Sequence, residues 1–99
     1  APVKSIRFHP AALTDLQEQA IYYEERSPGL GLRFIEQTEA ALHLAASMPG
    51  IGTNYKYGTR RVFPKDFPHA AIYREEDDQI VVLAIAAFRR QPGFWISRT

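Results

Sequence analysis

Arg89, Arg90, Phe94, Trp95 and Arg98 fall within ten residues of one another at the end of the sequence. Arginine and tryptophan are the residue types that most often dominate interface energetics, so this basic aromatic tail reads as a contact surface for a macromolecular target. A plainer reading stands beside it: Trp95 folds back as a lid on a sheet edge and the arginines solvate it. A second basic group, Lys56, Arg60, Arg61 and Lys65, suits phosphates or an acidic partner, or is simply a solvated strand surface. Adjacent residues of a strand point to opposite faces, so at most one of Arg60 and Arg61 can look to a given side. Tyr22 and Tyr23 cannot both sit in one helical stripe, and Tyr22 is the candidate for a partner surface. His9 and His43 read as a helix-start and a helix-surface residue. The acidic run Glu75 to Asp78 reads as a solvated turn and not a Mg²⁺ site.

The bulk properties narrow the classes of function. A chain of 99 residues forms one domain, taken here as residues 1–99, with one core. It has no cysteine, which removes disulfides, thiol nucleophiles and cysteine-bound zinc, and its three scattered histidines do not suggest a metal site. No cofactor is implied. No apolar run approaches the roughly 20 residues that span a bilayer, and the first residues do not resemble a signal peptide, so the expectation is a cytoplasmic protein without membrane contact. The formal charge of +1 hides a segregation. Residues 10–48 carry two basic and six acidic groups, residues 53–74 five basic and one acidic, and residues 89–98 three arginines and no acid. One side of the fold should be basic and another acidic, yet the total is too low for direct sequence-specific nucleic-acid binding.

These side chains need elements to hold them. Val3 to Phe8 suits a first strand. Pro10 opens a helix whose apolar stripe is Leu13, Leu16, Ala20 and Tyr23, and which ends near Arg26 because Ser27 precedes Pro28. Phe34, Ile35, Thr38, Ala41, Leu42 and Ala45 trace the buried face of a second helix, stopped by Met48, Pro49 and Gly50. The short connection predicts an antiparallel helical hairpin. Three strands follow: Asn54 to Phe63 interrupted by a bend or bulge at Tyr57 to Thr59, Phe67 to Arg74, and Ile80 to Phe88, the last apolar without alternation and hence buried on both faces. Arg89 and Arg90 must emerge where it ends. The order β-α-α-β-β-β gives an α+β domain, a helical hairpin packed on one face of a small, largely antiparallel sheet whose other face is open.

Read in order, FHPAALTDL, IYYEERSPGLGLRFIEQ, PGIG, RRVFPKDFPHAAIYR and IVVLAIAAFRRQPGFWISR resemble the RelE/ParE superfamily of type II toxin–antitoxin modules, and its ParE branch, the plasmid-stabilisation toxins, in particular. The matching words span nearly the whole chain; their order and spacing are more specific than any one of them. The resemblance implies a toxin neutralised by a cognate ParD-like antitoxin, an acidic segment laid over the helical hairpin, which carries Tyr22, and along the basic sheet face of Lys56, Arg60, Arg61 and Lys65. For ParE-like members it implies DNA gyrase as the target, blocked replication and growth arrest without catalysis. RelE-like members instead cut mRNA on the ribosome with strand arginines and a C-terminal Tyr or His. Here Ala70 and Ala71 stand where a strand arginine is expected, and Phe94 and Trp95 cannot exchange a proton. The reading is therefore a non-enzymatic gyrase inhibitor. The alternatives are a ribosome-dependent endoribonuclease using Arg60 or Arg61 with Arg90, and an inert member that keeps only antitoxin binding. Two departures from the ParE-like pattern stand out: His69 replaces the tyrosine of the FPY word, and Phe88 follows the central strand where many relatives have histidine.

Overall fold

A computed structural model describes residues 3–91 and 93–98, which leaves Pro92 of the basic tail outside the described residues. The elements are β1 (Ser5–Phe8), α1 (Pro10–Arg26), α2 (Leu30–Ser47), β2 (Thr53–Asn54), β3 (Arg60–Val62), β4 (His69–Glu75) and β5 (Gln79–Ala87). They form one α+β layer pair, the helical hairpin on a five-stranded sheet of order β1-β5-β4-β3-β2. Only the β1–β5 pairing is parallel.

Local chemistry sets the helix ends. His9 caps α1, its Nδ1 accepting from the Ala11 N–H at 3.0 Å, and Pro10 occupies a first-turn position where no N–H is needed. Glu24 reaches from α1 to the start of α2, where its carboxylate accepts the N–H groups of Gly29 at 2.9 Å and Gly31 at 3.1 Å. The negative charge sits at the positive end of the helix dipole and satisfies two otherwise orphaned donors. Gly29 adopts φ 88° to make the turn, and Gly31 packs so closely that a β-carbon there would collide with the Ala20 carbonyl of α1.

The stripe of α1 is Ala12, Leu16 and Ala20, with Tyr23 half-buried; Leu13 is exposed, contrary to the expectation from spacing. Rotating the helix by one position places small alanines against the sheet and lets the layers approach. The buried face of α2 is Phe34, Thr38, Leu42 and Ala45 as expected, joined by Gly31 and Ala46. Together with Ile80, Val82, Ile85, Ala71 and Tyr73 from the strands, these residues form the main core.

Two features of the sheet differ from the sequence reading. The predicted strand Asn54 to Phe63 is a hairpin: Thr53 pairs with Arg61 and Asn54 with Arg60, antiparallel. The bend is a full reversal because Tyr57 and Gly58 both adopt positive φ, 62° and 73°, which turns the chain back on itself where a bulge would only deflect it. Nor is the outer face open. Gly93 to Arg98 lies across it, wound by backbone bonds from Ile96 N–H to Gly93 C=O and from Arg98 N–H to Trp95 C=O. Trp95 packs there with Ile72, Val81, Leu83, Ala84 and Ala86 as a second core.

Candidate functional site

The tail is anchored at an irregularity in the central strand. Ile72 pairs with Ala84 but the next residue, Tyr73, pairs with Val82, so Leu83 is an extra residue in β5, a β-bulge. Both Leu83 and Ala84 turn their side chains to the outer face, where they meet Trp95. On the opposite edge of β5, β1 stops at the Phe8–Val82 pair because the chain turns into α1 at Pro10. Beyond that point the edge has polar groups without a strand to bond them. Two side chains replace the strand. Asp15 Oδ2 accepts the Ile85 N–H at 3.2 Å, and Arg98 donates to the Leu83 C=O at 2.9 Å and to Asp15 Oδ2 at 2.7 Å. Their side chains are only 11% and 15% exposed. The clip therefore closes an otherwise unsatisfied sheet edge and ties the tail to α1.

The placement of the tail residues divides them by role. Trp95 is 2% exposed and Arg98 is engaged with Asp15, so both hold the tail in place; the expectation that they face a target is corrected to that of a lid and its tether. Burying an indole against an apolar sheet face is favourable, and a guanidinium taken out of water needs the carboxylate it finds. Arg89 and Arg90 are exposed beyond the end of β5, as the apolar run before them required. Phe94 is partly buried, with the Arg90 guanidinium 3.9 Å from its ring centroid and that of Arg98 at 5.1 Å.

The basic group is likewise divided. Arg61 lies on the outer face, 3.9 Å over the Tyr55 ring, and Tyr55 in turn stacks on Trp95 at 5.3 Å. Arg60 points the other way and donates to the Gly52 C=O at 2.9 Å, holding the turn after α2. Lys56 and Lys65 are exposed in the turns before and after β3. Tyr22 is exposed on α1 with Arg26 stacked 4.0 Å over its ring. These residues therefore do not share one basic face.

Two concave regions adjoin these residues. The larger, a cleft of about 490 Å³ beside the end of β5, is lined by Gln19, Tyr22, Tyr23, His69, Phe88 and Arg89 among others. At its base His69 is almost fully buried. Its Nε2–H donates to Gln19 Oε1 at 2.9 Å, which leaves Nδ1 to accept the Tyr23 hydroxyl at 3.4 Å. Burial lowers its pKa below the ordinary value, keeping the ring neutral. It also packs edge-on against Tyr23 and Phe34, which makes it a core histidine on the helix side of the sheet. The smaller region lies on the outer face between β3 and the tail and brings together Tyr55, Arg61, Arg90, Phe94 and Trp95. Among the described residues no carboxylate, histidine or lysine lines it.

Residues 6–92 match the family described as ParE toxin of type II toxin-antitoxin system, parDE. The chain belongs to the ParE toxin family. A chain of the solved chromosomal ParDE TA system from P. aeruginosa superposes with a TM-score of 0.74 at 18% identity, covering 86% of this chain and 96% of that one. That likeness speaks to the fold alone. No curated protein matches.

Within this ParE-family chain, sequence reasoning had passed over Asp15, Gln19 and Tyr55. Asp15 carries a signal: it is a carboxylate one position from the Leu16 stripe, on the boundary where a helix meets a sheet edge. Gln19 and Tyr55 carried none, since their partners are 50 and 40 residues away in sequence. Among the described residues no helix is long and apolar enough to cross a membrane, and no group of three or more acidic, histidine or cysteine side chains could hold a metal.

Proposed function

We propose that this chain is a type II toxin that inhibits DNA gyrase by binding, without catalysis, and that a cognate ParD-like antitoxin neutralises it. The observation that carries the non-catalytic part is the chemistry of the outer face. Cleaving RNA at a 2′-hydroxyl requires a proton acceptor and a proton donor near the phosphate. The region around Arg61 and Arg90 offers guanidinium groups, aromatic carbon and the Tyr55 phenol, while His69, the histidine of the sheet, faces the helices. Among the described residues that line it, the Tyr55 phenol is the sole group suited to exchange a proton, whereas cleavage needs both an acceptor and a donor.

The proposed target contacts are Arg89 and Arg90, with Phe88 exposed beside them and the edge of Phe94. Trp95 and the Asp15–Arg98 clip hold this group rigid, so less ordering entropy is lost on binding. Inhibition then follows from preferential binding to one conformational state of the large enzyme. The antitoxin surface proposed here includes the helical hairpin, where Ile21, Tyr22, Leu32 and Leu44 are exposed, an apolar set suited to a partner segment.

A second reading retains one specific observation in its favour: Arg61 and Arg90 line the same cavity, as charge stabilisation of a cleaving phosphate would require. Supercoiling by purified gyrase in the presence of the free protein, alongside ribosome-programmed mRNA cleavage, decides between them. Lost supercoiling with accumulated cleaved DNA and intact mRNA supports gyrase poisoning. Cut mRNA with normal supercoiling overturns it, and inactivity in both assays points to an inert member that keeps the antitoxin surface.

A further inference from the structure

Two buried donors on the outer face, Arg61 Nε and Trp95 Nε1, find no acceptor among the described residues. Leaving such groups unsatisfied costs on the order of 1–3 kcal/mol each. Both side chains line the same cavity, of about 20 Å³, enough for one oxygen-sized group. Arg90 lines it too, with its guanidinium stacked on Phe94. The ion pairs among the described residues use Lys4, Arg33, Arg74 and Arg98, so among these residues neither Arg61 nor Arg90 is paired with a carboxylate. Stacking on Tyr55 and Phe94 covers the faces of these two guanidiniums and leaves their in-plane N–H groups for a ligand. The residues that carry these two donors and two positive charges line one space that holds a single oxygen, with no acid beside them among the described residues.

We propose that this cavity is an oxyanion seat: one oxygen of a phosphate or carboxylate accepts from Arg61 Nε and Trp95 Nε1, while Arg90 meets the remaining oxygens from the mouth. The seat is independent of whether gyrase is the target. It ties ligand binding to the tail, because Trp95 supplies a donor only when the lid is closed over the sheet.

Trp95 is the only tryptophan of the chain, so its fluorescence reports the seat directly. The full chain is titrated with inorganic phosphate and, separately, with acetate, chloride replacing either anion at constant ionic strength. The expected result is a saturable change in Trp95 emission with at least one oxyanion; phosphate alone, acetate alone or both identify which oxyanion the seat takes. Arg61→Gln should weaken the apparent affinity by about tenfold or more, since a charge-assisted hydrogen bond is lost. Arg90→Gln should also weaken it, and carries the test if circular dichroism shows that Arg61→Gln does not fold. Arg89→Gln removes the same charge one residue away without lining the cavity and should leave the affinity within about twofold. Emission that responds to neither oxyanion beyond chloride overturns the seat, as does an equal loss in the Arg89 variant, which would mark a diffuse charge effect.

Discussion

Removing the Asp15 carboxylate tests the account of the sheet edge most directly. In Asp15→Ala the Ile85 N–H loses its acceptor and Arg98, 15% exposed, loses its counter-charge. A buried donor left unmet costs about 1–3 kcal/mol, here nearer 1 because the edge can admit water, and breaking a fully buried ion pair by deleting one partner costs about 3–5 kcal/mol. Both groups keep some exposure, which brings the ion-pair loss below that range to about 2 kcal/mol, and a total of about 3 kcal/mol is expected. For a domain of this size that lowers Tm by roughly 12–24 °C. Arg98→Ala should cost about 2–3 kcal/mol, because Leu83 C=O and Asp15 both lose a donor. The double variant is the decisive measurement. If the two side chains act as one clip, urea unfolding followed by circular dichroism gives a coupling of about 2 kcal/mol, with the double variant little worse than Asp15→Ala. Trp95 emission in the native baseline should shift to the red in all three, since the tail is no longer tied down. Single-variant losses that add to within about 0.5 kcal/mol would refute the clip and reduce Arg98 to a surface arginine.

Other consequences can be checked by similar means. Gly31→Ala should destabilise by about 1–3 kcal/mol, because the new methyl meets the Ala20 carbonyl and the helices must separate; unchanged urea stability would show that the hairpin can relax. Tyr73→Phe removes the hydroxyl that donates to the Pro49 C=O and should cost about 1 kcal/mol, seen as a lower urea midpoint at constant m-value. His69 has a folded pKa below its unfolded value because of burial. Its protonation therefore favours the unfolded chain: stability should be complete above about pH 6.5 and fall as the pH drops from there toward the lower folded pKa. His69→Gln should flatten the profile just below about pH 6.5, and an unaltered slope would assign the acid sensitivity elsewhere. Glu76 is held below the ordinary carboxylate range by Gln79 and then Arg74, so its contribution is lost at lower pH and does not fall in that window. Arg90→Ala should weaken gyrase inhibition by about tenfold or more with stability nearly unchanged, measured as the toxin concentration that halves supercoiling.

Much of the architecture follows from the sequence because the forces that set it are local or periodic. Pro10 and the Ser27–Pro28 step fix the ends of α1 through backbone geometry, and the apolar run into Ala87 declares a strand covered on both sides. The same run required Arg89 and Arg90 to emerge, since paired guanidiniums cannot continue into a core. Alternation along β3 by itself sends Arg60 and Arg61 to opposite faces. Tertiary structure decided what depended on residues far apart in the chain. The hairpin at Tyr57 and Gly58 rests on two positive φ values that residue types alone do not demand. Asp15 and Arg98 meet across 83 positions because a bulge at Leu83 and the early end of β1 leave an edge that needs side chains. Trp95 became a lid and not a contact because the face beneath it, from Ile72 to Ala86, is apolar and only a returning tail could cover it. Periodicity can tell which side chains leave the core, but only the packed sheet determines where they go.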